Sequence, residues 1–83
     1  MTDNNSPKRA ARILDCIGLY CPMPVIRTNE ETDKLAVGET LEILADDPAA
    51  EEDLKAWAKR TGQKILETEK MDEGIRIVNK KTK

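Results

Sequence analysis

The sequence predicts an α/β fold, a two-layer α/β sandwich with β-α-β-α-β-β order, in which two helices cover one face of a four-stranded mixed sheet. Three observations lead there. Thr40 to Ala45 sets Leu41, Ile43 and Ala45 on one side, as a half-buried strand does. Behind Asp47-Pro48, the residues Ala50, Leu54, Trp57, Ala58 and Thr61 recur at helical spacing. Two more aliphatic runs, around Ile65 and Ile75, are separated only by a turn and read as a hairpin. Crossover connections keep one hand, so both helices belong on the same sheet face. The other face is expected to be wet, because the strands set Glu, Lys, Arg and Thr against aliphatics.

Each element follows in order. Residues 1–10 show no apolar periodicity and read as a flexible leader, with the folded domain expected over 11–79. Arg12 to Asp15, containing Ile13 and Leu14, makes a short first strand, and Gly18 supplies its turn. A helix is expected from Pro22, since proline is tolerated where a helix begins. Its weakly apolar face is drawn from Val25, Thr28 or Asn29, Thr32, and Leu35 or Ala36, and Gly38 marks its end. After the Thr40 to Ala45 strand, Asp47 is expected to cap the second helix, with Glu51, Glu52 and Asp53 near the positive end of its dipole. Gly62 closes that helix, Trp57 is expected in the core, and Lys64 to Glu69 and Ile75 to Val78 flank a turn at Met71 to Gly74. Residues 80–83, mostly lysine, read as a flexible basic tail.

Composition narrows the function. With 83 residues the chain is large enough for one small domain, too thin in core to enclose a substrate pocket with its own catalytic machinery. That favours a carrier or adaptor working with partner enzymes. Charged residues make up 36% of the chain but nearly cancel, to a formal net charge of -2, so no global field draws it to nucleic acid. With no Phe, one Trp and one Tyr, it lacks the aromatic platform that stacks single strands. No run approaches the roughly 20 apolar residues of a membrane span, and none resembles a signal peptide, so a cytoplasmic location without membrane insertion is expected. The absence of His removes any Cys-His dyad, and the two cysteines leave zinc and iron-sulfur sites short of ligands, so neither a metal nor a cofactor is expected.

The segment that carries chemistry is Cys21-Pro22-Met23-Pro24-Val25, where strand and turn give way to helix. Cys21 in the cap position would be met by the first-turn amides of Met23 and Val25 and by the helix dipole, and a lowered thiol pKa is the expected consequence. Pro22 and Pro24 fix the turn, so the sulfur is presented rigidly. On the residues alone, a buried cysteine in an ordinary Pro-x-Pro loop remains an equal alternative.

Leu14-Asp15, Gly18-Leu19, Cys21-Pro22-Met23-Pro24-Val25, Gly38-Glu39-Thr40 and Asp46-Asp47-Pro48-Ala49 together resemble the signature of the TusA-like (SirA-like) sulfur carriers, over about Ile13 to Val78. The resemblance implies the same two-layer fold and a catalytic Cys21 that receives persulfide sulfur from a cysteine desulfurase or rhodanese-like donor. Gly18, Pro22, Met23, Pro24 and Val25 are then the supporting motif. A downstream protein accepts the sulfur, in a relay ending in tRNA thiolation, molybdenum cofactor supply or sulfur oxidation. The carrier is expected to act as a monomer and without direct nucleic-acid contact.

Cys16 has two readings: a small apolar side chain ending the first strand, or a second thiol that attacks a Cys21 persulfide and forms a disulfide. The second reading also allows a different function, a thiol redox switch or interaction module built on Cys16 and Cys21. Arg27, with Lys34 farther along the helix, is a candidate contact for an acidic partner or a persulfide anion. Asp46 and Asp47 also read as a paired carboxylate or metal site, but the cap role accounts for Asp47 without further assumption.

Overall fold

The computed structural model describes residues 12–83, so the leader expected over 1–10 lies outside the described residues. Apolar alternation and two crossovers produce β1 (Arg12–Cys16), α1 (Met23–Asp33), β2 (Thr40–Ala45), α2 (Ala50–Thr61), β3 (Lys64–Met71) and β4 (Gly74–Lys80). The four strands form one sheet in the order β1-β2-β4-β3. β1 runs parallel to β2, from Arg12 beside Leu41 to Cys16 beside Ala45, while β4 is antiparallel to both β2 and β3. The mixed sheet and element order agree with the sequence reading.

Register decides which side chains meet the helices. Cross-strand partners share a face, so Leu14, Ile43 and Ile77 form one inward row and Cys16, Ala45 and Ile75 the next. These pack with Leu41, Leu54, Ala50 and Leu35, and Leu41, Ile43, Leu54 and Ile77 are fully buried. Removing such side chains from water is the main stabilising term of a small domain, about 1.5 to 3 kcal/mol for each large aliphatic. Trp57 is also buried, and its indole Nε1 donates to Asn29 Oδ1 at 3.1 Å, which ties α2 to α1.

α1 buries Thr28 and Thr32 of its expected face, with Leu35 just past its end, and differs only at its start. Pro24, Thr28 and Thr32 are its buried residues, whereas Val25 is half-buried. The hydroxyls of Thr28 and Thr32 find no hydrogen-bond partner among the described residues. The hairpin is longer than its aliphatic content suggested. β3 reaches Met71, which pairs with Gly74 across a turn of Asp72 and Glu73. At Gly74 φ is +129°, and a Cβ there would collide with the Ala45 carbonyl oxygen, so only glycine fits.

The boundary at residue 80 needs correction. β4 includes Lys80, Lys81 exchanges backbone bonds with Gly38 and Glu39, and Thr82 N–H donates to Gln63 Oε1. Lys81 Nζ also donates to the Leu35 carbonyl at 2.8 Å, so these residues close the end of α1 onto the sheet. Lysine content pointed to a solvated tail, but backbone pairing decides its place.

Candidate functional site

Because β1 and β2 are parallel neighbours, the segments that follow them emerge side by side at one sheet edge. One is the Ile17–Pro22 turn leading into α1, and the other the Asp46–Ala49 turn leading into α2. Ligand sites of α/β sheets sit at this carboxyl edge. Here the two turns are bonded to one another. Gly18 N–H donates to Asp46 Oδ1 at 2.9 Å, and Cys21 N–H donates to Asp47 Oδ2 at 2.7 Å. Gly18 adopts φ +85°, a left-handed conformation in which a side chain is strained.

Asp47 is not the N-cap that the sequence suggested, because α2 is capped two residues later, yet its carboxylate joins the two turns. Its Oδ1 accepts from Ala49 N–H at 3.0 Å, while Ala49 is the N-cap residue of α2 and makes no side-chain cap bond. One carboxylate closes the turn before α2 and holds the backbone of Cys21.

The structure exposes the Cys21 thiol and buries that of Cys16 completely, with both free. Pro22, not Cys21, occupies the N-cap position of α1, the Cys21–Pro22 peptide is cis, and Pro24 lies buried in the first turn. Ile17, Tyr20, Met23 and Ile26 flank the thiol in sequence as exposed apolar side chains.

The expected lowering of the Cys21 pKa is overturned. The Asp53 carboxylate of α2 in the first place, then partial desolvation and the charge of Asp47, favour the neutral thiol and push its pKa above the ordinary value. Of the two amides expected to face the sulfur, that of Met23 is otherwise engaged, donating to the Tyr20 carbonyl at 2.8 Å. Burial raises the Cys16 thiol as well, against a smaller lowering by Arg27.

Arg27 does not extend to Cys21. Its guanidinium pairs with Glu30 at 2.9 Å and Glu31 at 3.9 Å, and Lys34 also bonds Glu31, at 3.2 Å. The two cations neutralise acids of their own helix. Among the described residues there is no group of three or more His, Cys, Asp and Glu that could hold a metal ion, and no helix is long and apolar enough to cross a membrane.

Sequence reasoning missed Asp53 and the second role of Asp47. Both act between segments remote in the chain, and periodicity cannot report them. A signal did exist, because a parallel β-α-β unit necessarily brings the turns after its two strands to the same edge.

Comparison with known proteins places the arrangement. The family model described as sulfurtransferase TusA matches residues 12–81. A protein of Archaeoglobus fulgidus named "Putative sulfur carrier protein" is 52% identical over 62 residues, covering 75% of this chain and 80% of that one. YrkF of Bacillus subtilis, which bears the same name, is 46% identical over 68 residues, covering 82% of this chain but 37% of its own greater length. The crystal structure of a SirA-like protein from Desulfitobacterium hafniense matches with a TM-score of 0.71 and 25% identity, covering 87% of this chain and 99% of that one.

Proposed function

The chain belongs to the sulfurtransferase TusA family, and from that premise we propose that it is a sulfur carrier, receiving sulfane sulfur on Cys21 and passing it to another protein. The observation that carries this reading is the contrast between two thiols of one small domain. Cys16 is sealed in the core, while Cys21 stands exposed on a turn fixed by Asp47 Oδ2. A carrier needs an accessible sulfur at a defined position, since both the donor's and the acceptor's sulfur must reach it.

Loading is an exchange without net oxidation. The Cys21 sulfur attacks the terminal sulfur of a donor cysteine persulfide, and a new S–S bond forms as the donor's breaks. The donor leaves as a thiol, taking up the proton that Cys21 loses. A cysteine desulfurase or rhodanese-like protein is the proposed donor, and the exposed Ile17, Tyr20, Met23 and Ile26 offer it apolar contact around the sulfur. The outlet belongs to a relay of the kind that serves tRNA thiolation, molybdenum cofactor supply or sulfur oxidation. Cys21 is the proposed catalytic residue, and Gly18, Pro22, Met23, Pro24 and Val25 shape its turn.

Incubation with a cysteine desulfurase and cysteine, followed by mass spectrometry of the whole chain, tests this reading. A gain of one sulfur atom on Cys21, absent from Cys21→Ser and reversed by a reductant, is the expected result. A chain that gains no sulfur, or gains it equally in Cys21→Ser, overturns the proposal.

A further inference from the structure

Charge is shared unevenly between the two ends of the sheet. Asp46, Asp47 and Asp53 gather at the Cys21 edge, whereas Lys59, Arg60, Lys64, Lys80 and Lys83 gather at the opposite edge, where α2 ends, β3 starts and β4 ends. Lys64 sits directly opposite Lys80 in the β3 and β4 ladder, and Lys83 lies against Gly62. Among the described residues no carboxylate pairs with any of these five cations. The helix dipole accounts for Lys59 and Arg60, and a lysine guards an open strand edge, but neither accounts for like charges set side by side. The formal net charge of -2 conceals this basic end.

Between α2 and β3 at this end lies a groove of about 450 Å³. Ala58, Ile65 and Leu66 give it an apolar lining, with Leu66 exposed, and Lys55, Lys59 and Lys64 border it. Lys55 is paired with Glu51 at 2.8 Å, and the one acid of the lining, Glu67, with Arg76 at 2.9 Å, so Lys59 and Lys64 keep their charge uncompensated. We propose that this groove docks an acidic segment of a partner protein, which sets an aliphatic side chain against Leu66 and its carboxylates against the lysines. Charge complementarity selects the acid, and the apolar lining selects a polypeptide over a chain of phosphates. Nucleic acid fits less well, because no aromatic side chain lines the groove on which a base could stack. Neither Cys21 nor the carboxylates that hold its turn belong to the groove, so a partner seated there leaves the thiol open, and the proposal stands apart from the carrier reading.

Fluorescence anisotropy on the full chain tests this, with a labelled glutamate-rich peptide holding one leucine as the probe. The same peptide with serine in place of leucine and an oligouridylate RNA are measured beside it. Wild type is expected to bind the leucine peptide more tightly than the serine peptide by about threefold or more, and to lose about tenfold or more between low salt and about 1 M salt. Lys59→Glu and Lys64→Glu should each weaken binding by about fivefold or more. Lys70→Glu changes the net charge equally but lies about 20 Å along β3 from Lys64, and it should alter binding by less than about twofold. Thermal melts confirm folding, and Lys59→Gln repeats the test without placing an acid at the end of the helix. Absence of peptide binding, an equal loss in Lys70→Glu, tighter binding of the RNA, or no preference for leucine overturns the proposal. Cys21→Ser should bind the peptide as wild type does, so failure here leaves the carrier reading standing, and failure of sulfur loading leaves this site standing.

Discussion

Cys16 and Cys21 show how far one residue type is governed by its surroundings. Cys16 ends β1 on the inward face beside Ala45, and the core excludes solvent from it. Cys21 is open to reagent, and the neighbouring acids Asp53 and Asp47 push its pKa up. Native alkylation at pH 8 is expected to label Cys21 and spare Cys16 until urea unfolds the chain, read by peptide mass spectrometry; equal native labelling would contradict the burial of Cys16. The pH dependence of stability has a definite sign. The folded pKa of Cys16 lies above its unfolded value, so its contribution is intact below the ordinary thiol pKa of about 8.5 and is lost as pH rises toward the folded value. Urea midpoints should thus fall more steeply above that pH in wild type than in Cys16→Ala. The apolar reading of Cys16 came from its place at a strand end; the raised pKa of Cys21 was not legible, because it depends on Asp53, which is remote in sequence.

At the level of elements, each helix start depends on the turn before the other. Asp47 accepts from Cys21 N–H and Ala49 N–H, so Asp47→Ala leaves donors of both turns without their partner. A loss of about 1 to 2 kcal/mol is expected for this half-buried site, since water replaces part of what the carboxylate supplied. Hydrogen exchange at the Cys21 amide should accelerate while amides of β2 remain protected; unchanged exchange at Cys21 would mean that Asp47 does not hold the turn. Elements announced by a regular period were readable from the sequence. β2 starts and stops as expected, and α2 buries Ala50, Leu54, Trp57 and Ala58 on the face assigned to it. α1 was less clear because it buries two threonines instead of a run of large aliphatics. The hairpin outgrew the expected Lys64 to Glu69 and Ile75 to Val78 because backbone pairing continues through Lys70, Asn79 and Lys80, which carry no apolar signal.

Across the whole molecule, β4 is the strand that joins the β-α-β unit to the hairpin, lying between β2 and β3. Its inward side supplies Ile77 to the core. On the opposite side Arg76 pairs with Glu42 of β2 at 3.2 Å and with Glu67 and Glu69 of β3 at 2.9 and 3.2 Å. One guanidinium thus spans both neighbours, and the Glu67 and Glu42 carboxylates push its pKa further up, so it stays charged wherever the fold persists. Mixed polar residues on these strands pointed to a wet face, while the convergence of three acids on one arginine required the register. Removing the charge in Arg76→Met leaves the three carboxylates facing each other while keeping most of the apolar stem. Exposed pairs are individually weak, so a cost of about 1 kcal/mol is expected in low salt, as a network with its repulsion unmasked. At 1 M salt the screening length is about 3 Å, and the difference from wild type should shrink by about half or more. Urea midpoints at the two salt concentrations decide it, because a cost that does not change with salt would assign Arg76 to packing instead of charge.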